Sequence, residues 1–133
     1  MDTAYRKSRS ATYLINYHFI FCPRYRRKIF LIPGVEERFK QIVKNICNEL
    51  DADIIAMKCD NDYTHLFLSA PPTVNPAEIV KRIKGATGKI LLREIPQLSR
   101  MPHLWTRSYF VSTAGNVSSE TIKLYVESQK KRY

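Results

Sequence analysis

The spacing of apolar and polar residues along the chain predicts four core strands and three helices. Residues 11–22 are rich in β-branched and aromatic side chains and end at Pro23, which predicts a long first strand. Residues 53–58 and 64–70 have the same character and are joined by a turn-forming run, so they are predicted to pair as a hairpin. Residues 108–113, which follow a proline-rich stretch, are the predicted fourth strand.

Two segments between these strands have the periodicity of helices. After Pro33-Gly34, apolar residues recur at steps of three and four and predict one buried stripe, formed by Val35, Phe39, Ile42, Val43, Ile46 and Leu50. The second helix is predicted to begin at Asn75-Pro76, where a capping residue precedes a proline at the first helical position. Gly85 and Gly88 weaken the middle of this helix by roughly 1 kcal/mol each, which predicts a bend or the close approach of another backbone.

A third helix is predicted from Ser119 to about Arg132. The order of elements is therefore β-α-β-β-α-β followed by one more helix. This is the split βαβ, or ferredoxin-like, arrangement of the α+β class with an antiparallel sheet. The length predicts a single domain over residues 1–133, with residues 1–10 as a loose basic arm and residues 118–133 as the C-terminal helix.

The charge balance adds a partner to this picture. The chain has 22 Lys and Arg against 12 Asp and Glu, a formal net charge of +10. A domain this basic favours a polyanionic partner, most often nucleic acid, and a membrane surface is the weaker option. Three cysteines without close pairing favour a reduced compartment, and neither a signal peptide nor an apolar membrane span is visible, so a cytoplasmic location is expected.

The third predicted helix carries a candidate catalytic pair. Tyr125 and Gln129 are four residues apart, so they lie on one helical face with Cβ atoms roughly 5–6 Å apart. A tyrosine is able to attack a phosphodiester, and an amide oxygen beside it is able to hold a metal ion. On spacing alone, a packed helix with Tyr125 in the core is the more common arrangement.

The remaining candidates also have ordinary explanations. Tyr63 and His65 are two apart on a strand and face one side of it, and a lone histidine there is more often structural than a metal ligand. His18 lies inside an apolar strand, where a satisfied core group is more common than a catalyst. The loop residues Arg24, Tyr25, Arg26, Arg27 and Lys28 suit stacking and phosphate contact with single-stranded nucleic acid, and equally a solvated turn; Lys84 is a further candidate.

Four blocks in the same order give these residues a family context. The run from Asp62 to Pro72 (DYTHLFLSAPP) resembles the Asp-His-hydrophobic-His-Leu segment, ending in Ser-Ala-Pro-Pro, of single-tyrosine HUH transposases. These are the short transposases of a class of bacterial and archaeal insertion sequences. Residues 17–28 are similar to the family's first strand and basic loop, residues 104–111 to its Trp-containing segment, and residues 123–129 to its nucleophile helix. The resemblance covers residues 11–131, nearly the whole chain.

The resemblance implies an activity and a site. Family members bind hairpins at the ends of the element as single-stranded DNA and cut beside them, which makes Tyr125 the nucleophile that forms a 5′-phosphotyrosyl link. The link conserves the phosphodiester energy, so no nucleotide cofactor is expected. No membrane partner is expected either, because no polybasic segment adjoins a long apolar helix. In the family Mg²⁺ or Mn²⁺ is held by two histidines and a glutamine. His65 and Gln129 match two of these positions, and Tyr63 stands where the first histidine would be.

Tyr63 is the one departure from the family pattern. A neutral phenol is a weak ligand for a hard cation, and ionising it near pH 7 costs about 4 kcal/mol. Mg²⁺ and Mn²⁺ favour oxygen donors, so our hypothesis is that Asp62 or a water molecule fills the vacant position. The resemblance also implies a homodimer, with the nucleophile helix acting in cis or in trans.

Two other functions remain open on the sequence. One is a domesticated or catalytically weakened relative that binds hairpin single-stranded DNA without efficient cleavage. The other is a plain RNA- or single-strand-binding module with the same order of elements, although the aromatic-glycine signature of RNA-binding domains is missing from the sequence.

Overall fold

The computed structural model describes residues 5–129, and within them it contains six strands and three α-helices. The strands are β1 (Arg6–Lys7), β2 (Thr12–Tyr13), β3 (Asn16–Phe21), β4 (Asp53–Cys59), β5 (Thr64–Ser69) and β6 (Phe110–Ser112). The α-helices are α1 (Val35–Glu49), α2 (Pro76–Glu94) and α3 (Ser119–Ser128), and three short 3₁₀ turns lie at Arg24–Arg26, Ile29–Leu31 and Pro96–Leu98.

Strands β3 to β6 form one antiparallel sheet in the order β4-β5-β3-β6. Strand β3 is therefore central, with β5 on one side and β6 on the other. This order, with α1 and α2 as the two crossovers, is the ferredoxin-like arrangement of the α+β class, and it confirms the predicted fold class.

Helices α1 and α2 cover one face of the sheet and enclose the main core. Every residue of the predicted α1 stripe is buried. Trp105 lies in this core with its ring centroid 4.8 Å from that of Phe21 in a T-shaped contact, and its Nε1 donates to the hydroxyl of Thr87 at 2.9 Å. Helix α2 is continuous, and a Cβ on Gly88 would lie 3.5 Å from the Trp105 ring. The glycine thus lies close to an indole side chain instead of another backbone.

The start of the chain differs from the prediction. The long first strand is broken at Leu14-Ile15, and its first part pairs with Arg6–Lys7, so part of the predicted loose arm is an ordered hairpin. Arg6 causes this order, because its guanidinium donates to the Ser69 carbonyl and to the Asp51 carbonyl at the end of the sheet. Residues 1–4 and 130–133, the outer parts of the predicted arm and last helix, lie outside the described residues.

Strand β6 is three residues long, shorter than the predicted 108–113. The segment before it is drawn toward α2, because the ammonium of Lys84 donates to the carbonyls of Thr106 (2.7 Å) and Ser108 (3.0 Å). Those carbonyls are therefore bound to a helix side chain and not to a neighbouring strand.

Candidate nucleophile helix and histidine pair

Helix α3 lies on the face of the sheet opposite α1 and α2. Its Val126 is buried against Ile20 in the central strand β3 and against Cys22, which directly follows that strand. Tyr63 and Phe110 pack beside them. Ser118 caps the helix by accepting from the backbone N–H of Thr121 at 3.1 Å. The apolar contact is small, so α3 depends on polar contacts as well.

Those polar contacts converge on the hydroxyl of Ser108. Its Oγ lies 2.8 Å from the Tyr125 hydroxyl and 3.0 Å from Oε1 of Gln129, which is only 2% exposed. An amide oxygen only accepts, so Ser108 donates its proton to Gln129. The Tyr125 hydroxyl must then donate to Ser108. One serine thereby holds the candidate nucleophile and the candidate metal-binding oxygen side by side.

A second polar pair joins strands β3 and β5. His18 Nδ1 and His65 Nε2 are 2.9 Å apart, and His18 Nε2 lies 3.4 Å from the carbonyl oxygen of Gly115. His18 is 5% exposed, and its ring is stacked on Phe67 at 4.0 Å. Burial, followed by the proximity of His18 and Lys58, lowers the pKa of His65 below its usual value, which favours the neutral imidazole.

The two pairs lie on opposite sides of Ile20. In the register of the sheet, Ile20 is paired with His65 on β5 and with Phe110 on β6. Neighbouring strands are about 4.8 Å apart, so the backbones of His65 and Phe110, which lie two strands apart, are separated by roughly 10 Å. Tyr125 packs on Phe110 at 6.0 Å between ring centroids. Tyr125 therefore lies on the β6 side of the sheet, and His65 lies on the β5 side.

Tyr63, at the position of the missing histidine, packs against the small cluster under α3. Burial, followed by the charge of Asp60, raises the pKa of its hydroxyl above the usual value. Its phenol is accordingly neutral near pH 7. In this structure the residue contributes apolar surface for α3.

Asp62, the hypothetical replacement ligand, is bound to an arginine. Its Oδ2 lies 3.0 Å from both Nε and a terminal nitrogen of Arg26, which also approaches Glu127 of α3 at 3.7 Å. Arg26 thus links the β4–β5 turn to α3. These residues line a cleft of about 450 Å³ between that turn and the helix.

The predicted metal ligands are not gathered in this structure. Gln129 Oε1 accepts from Ser108, Asp62 pairs with Arg26, and His65 faces His18. Within residues 5–129, no group of three or more His, Cys, Asp and Glu side chains is placed to hold an ion. An imidazole nitrogen and an amide oxygen are both known donors to divalent ions.

The basic loop has an unusual backbone that presents its aromatic residue to solvent. Tyr25 and Arg26 have φ of 60° and 49°, left-handed values that cost a non-glycine residue roughly 1–2 kcal/mol each. Tyr25 is 68% exposed, and the neighbouring Arg27 and Lys28 are also exposed. Arg24 differs, because its Nε donates to the Trp105 carbonyl at 3.3 Å.

Lys84, a further DNA-binding candidate, is half-buried and bonded to backbone. Its ammonium donates to two backbone carbonyls and lies 5.8 Å from the Phe21 ring centroid. Burial lowers its pKa to about 8. Lys84 therefore supports the segment that carries Ser108.

Sequence reasoning missed Ser108 as a site residue. Ser108 lies within the Trp-containing block that carries the family resemblance, so its position was visible although its hydrogen bonds were not. Lys84 was selected for its charge, and its anchoring role depends on the tertiary contact with that same block.

The three cysteines are free thiols, and burial is the main cause that raises the pKa of Cys22 to about 12 and those of Cys47 and Cys59 to about 11. They are thus poor candidates for catalysis at neutral pH. Among the described residues, no helix is both long and apolar enough to cross a bilayer.

A ferredoxin-like sheet with a tyrosine and a glutamine on an added C-terminal helix defines a class of small, basic α+β proteins. Residues 11–129 match the family described as "Transposase IS200 like". The chain is 32% identical over 127 residues to the ISDra2 transposase TnpA of Deinococcus radiodurans, covering 93% of this chain and 90% of that protein. It is 28% identical over 117 residues to the IS200 transposase of Salmonella typhimurium, covering 85% and 75% of the two chains.

Solved structures agree with the sequence matches. A crystal structure of a candidate transposase from Deinococcus radiodurans R1 superimposes with a TM-score of 0.81 at 31% identity, covering 93% of this chain and 97% of that one. A REP-associated tyrosine transposase bound to a REP hairpin shares the fold, with a TM-score of 0.57 at 12% identity over 92% and 68% of the two chains. The chain belongs to the IS200-like transposase family, whose members act in DNA transposition by cleaving and rejoining DNA.

Proposed function

We propose that this transposase cuts and rejoins single-stranded DNA at hairpin ends of an insertion sequence through a 5′-phosphotyrosine link to Tyr125. The observation that supports it most is that Tyr125 and Gln129, side by side at α3, both form a hydrogen bond with the hydroxyl of Ser108. This arrangement occurs in a chain that belongs to the transposase family. A phenol beside an amide oxygen suits a tyrosine nucleophile that attacks a phosphate polarised by a metal ion.

The reaction is an exchange of one phosphodiester bond for another. The Tyr125 hydroxyl oxygen attacks the scissile phosphorus, and the bond from phosphorus to the 3′ oxygen breaks. The phenolic proton is lost and the departing 3′ oxygen gains one, so atoms and charge balance. The reverse attack by a 3′-hydroxyl restores the phosphodiester and releases Tyr125, and no nucleotide cofactor enters the balance.

A divalent ion, Mg²⁺ or Mn²⁺, belongs to this proposal as a cofactor. His65 and Gln129 would hold it: the amide oxygen is a donor of the type that such ions favour, and the imidazole ligand is implied by the family resemblance. When bound, the ion supplies charge that polarises the phosphate and stabilises the transition state. In this structure Gln129 Oε1 accepts a hydrogen bond from Ser108, and that bond must break before the oxygen binds an ion.

The separation of Tyr125 from His65 favours a movable α3. Within one chain, Ile20 lies between the side chains of Tyr125 and His65. They come into contact only if α3 moves away from the sheet. Helix α3 then reaches the histidine of its own chain or of a partner, and we propose a homodimer. The exposed Leu124 on α3 offers apolar surface for a second contact.

Hairpin DNA is the proposed ligand of the basic loop. Tyr25 provides an exposed ring for stacking, and Arg27 and Lys28 provide charge for phosphates. The solved relative bound to a REP hairpin makes a hairpin the natural first probe for this chain.

The test is formation of a covalent adduct. The protein is incubated with hairpin oligonucleotides and Mn²⁺, and a shift in denaturing gels reports the phosphotyrosine link. Wild type should give the adduct and Tyr125→Phe none, with Tyr109→Phe as a matched control that retains it. An adduct that persists in Tyr125→Phe would assign the nucleophile elsewhere.

A second candidate is a weakened relative that binds hairpins without efficient cleavage. The observation in its favour is Tyr63, whose neutral phenol replaces an imidazole and packs under α3. Hairpin binding without any adduct, over a panel of candidate ends, would select this function.

A further inference from the structure

A groove of about 730 Å³ runs between α2 and residues 102–107. Near one end, Trp105 lies 3.5 Å from the position that a Cβ on Gly88 would take. About one turn earlier in α2, the ammonium of Lys84 donates to the carbonyl of Ser108 at 3.0 Å. The two walls therefore run antiparallel, and the groove follows α2 from residue 92 back to residue 81.

The charge along this groove has one sign. Among the described residues, its lining includes no Asp or Glu and five cationic side chains, which are Arg24, Lys81, Lys84, Lys89 and Arg107. Lys81, Lys89 and Arg107 are exposed and form no ion pair within residues 5–129. Lys81 and Lys89 are about 12 Å apart along the helix axis. A row of cations spread in this way fits a chain of phosphates better than one small anion.

The groove continues into a second cleft, of about 420 Å³, beside the basic loop. The cleft shares Arg24 and His103 with the groove, adds Arg27 and Arg100, and is likewise lined by no acidic side chain of the described chain. The ring of Tyr25 on its rim is 68% exposed, and His103 is exposed as well. Two rings are thus available to solvent where the groove meets the basic loop.

We propose that the groove and this cleft together bind the single-stranded DNA that adjoins the hairpin. Phosphates contact Lys81, Lys89 and Arg107, and bases stack on Tyr25 and His103. The inference deepens the proposed function and rests on it, because it assigns a site to the part of the substrate that is not base-paired. A positively charged groove with aromatic rings is the arrangement by which proteins hold single strands without reading their sequence.

The position of the groove favours a single strand over the hairpin stem. Cations lie on both walls, on α2 and on residues 102–107, so a bound backbone has to lie between them. A duplex instead accepts a helix or ribbon of the protein into its own major groove, which requires a protruding surface. Arg107 directly precedes Ser108, whose hydroxyl lies 2.8 Å from that of Tyr125. A strand in the groove therefore leads from the basic loop toward the candidate nucleophile, as the strand to be cut must.

The experiment compares two probes, a hairpin oligonucleotide extended at both ends by about ten thymidines and the same hairpin without extensions. Thymidines are suitable because stacking tolerates any base, and single-strand sites span about 4–16 nucleotides. Fluorescence anisotropy without divalent ions, so that no cleavage intervenes, gives the dissociation constant over a range of salt concentrations.

Two protein variants with equal charge are compared. The groove variant combines Lys81→Gln, Lys89→Gln and Arg107→Gln. The matched control combines Lys7→Gln, Arg9→Gln and Lys44→Gln, at exposed positions that do not line the groove. Each variant loses three charges from the formal +10 of the chain, so a difference between them reports position and not net charge.

The groove variant should lose affinity for the extended probe only. Each lost contact with a single-strand phosphate lowers the slope of log K against log salt by about 0.7, so three contacts lower it by about 2. That change is about 100-fold in affinity at 0.1 M salt if the affinities converge at 1 M. The unextended hairpin should bind both variants alike. An equal loss for both probes would assign the groove to the stem and overturn the inference, as would equal binding of the extended probe by the two variants.

A second variant fills the groove without changing its charge. A Cβ on Gly85 would meet no neighbouring atom within 4 Å in the described chain, so Gly85→Gln places its side chain in the open groove and also favours the helix. It should weaken binding of the extended probe and leave the unextended hairpin unaffected. Ala77→Gln, at an exposed α2 position away from the groove, should alter neither. Wild-type affinity of Gly85→Gln for the extended probe would contradict a strand lying along α2.

The adduct assay separates this inference from the proposed function. A Tyr125-dependent adduct together with groove variants that bind both probes as their controls do would refute the groove alone and leave cleavage intact. Groove-dependent binding of the extended probe without any adduct would support the groove and refute cleavage.

Discussion

The Ser108 hydroxyl should determine how firmly α3 is held, and Ser108→Ala tests this directly. The substitution removes two hydrogen bonds, one to Tyr125 and one to the buried Gln129. Each is worth about 1 kcal/mol net, and an acceptor left unpaired in a buried position costs about 1–3 kcal/mol. The docked state of α3 is thus expected to lose about 2–3 kcal/mol.

This loss is comparable with the apolar contribution to docking. Val126 is the fully buried hydrophobic residue of α3 within the described part of the helix, and burying a valine is worth about 1.5–3 kcal/mol. Removing the Ser108 hydroxyl therefore lowers the free energy of docking of α3 by approximately half. At 1.4 kcal/mol per tenfold, the undocked population should rise about 30- to 140-fold.

Hydrogen exchange measured by mass spectrometry reports that population. Amides within Ser119–Ser128 should exchange about 30- to 140-fold faster in Ser108→Ala than in wild type, while those of Val35–Glu49 in α1 stay unchanged. Ser119→Ala, at an exposed serine of the same helix, is the matched control and should leave exchange as it is. If the amides of α3 exchange at the wild-type rate in a folded Ser108→Ala variant, the apolar contacts of α3 alone hold the helix on the sheet.

Two further substitutions test the neighbouring contacts. Lys84→Met should lower the free energy of unfolding by about 1–3 kcal/mol, measured by urea titration, because two carbonyls lose their donor; Lys81→Met, on the exposed face of α2, should stay within about 0.5 kcal/mol, and equal effects would contradict the anchoring role. The double change Arg27→Gln and Lys28→Gln should weaken binding of a hairpin oligonucleotide and reduce the slope of log K against log salt by about 1 to 2, as expected for one or two lost phosphate contacts. An unchanged slope would remove the loop from the DNA interface.

The fold was predictable because each element has a local signal. The α1 stripe, the Asn75 cap of α2 and the turn between β4 and β5 are encoded by residues close in sequence, and all three are present in the structure. The break in the first strand was not predictable, because it depends on Arg6 reaching the Ser69 carbonyl, a contact across 63 positions. The shortening of β6 likewise depends on Lys84 of a distant helix.

The site was predictable only in part, for the same reason. Tyr125, Gln129 and His65 stand in motifs, so resemblance finds them. Ser108 and His18 act through contacts that span 17 and 47 positions, and each alone looks like an ordinary strand residue. A buried histidine in an apolar strand is most often a satisfied core group, and its contact with His65 is visible only in the structure.

Tyr63 connects these findings, because replacing an imidazole by a phenol changes two properties of the site at once. Under the proposed function it removes a nitrogen ligand from the β5 face, and in the structure it adds apolar surface against which Val126 of α3 packs. The first change leaves His65 and Gln129 as the matched ligand positions of the proposed metal site. The second change favours the docked helix, in which the Ser108 hydroxyl is hydrogen-bonded to both Tyr125 and Gln129. Release of α3 from Ser108 is therefore the step at which DNA or a partner chain is expected to control cleavage.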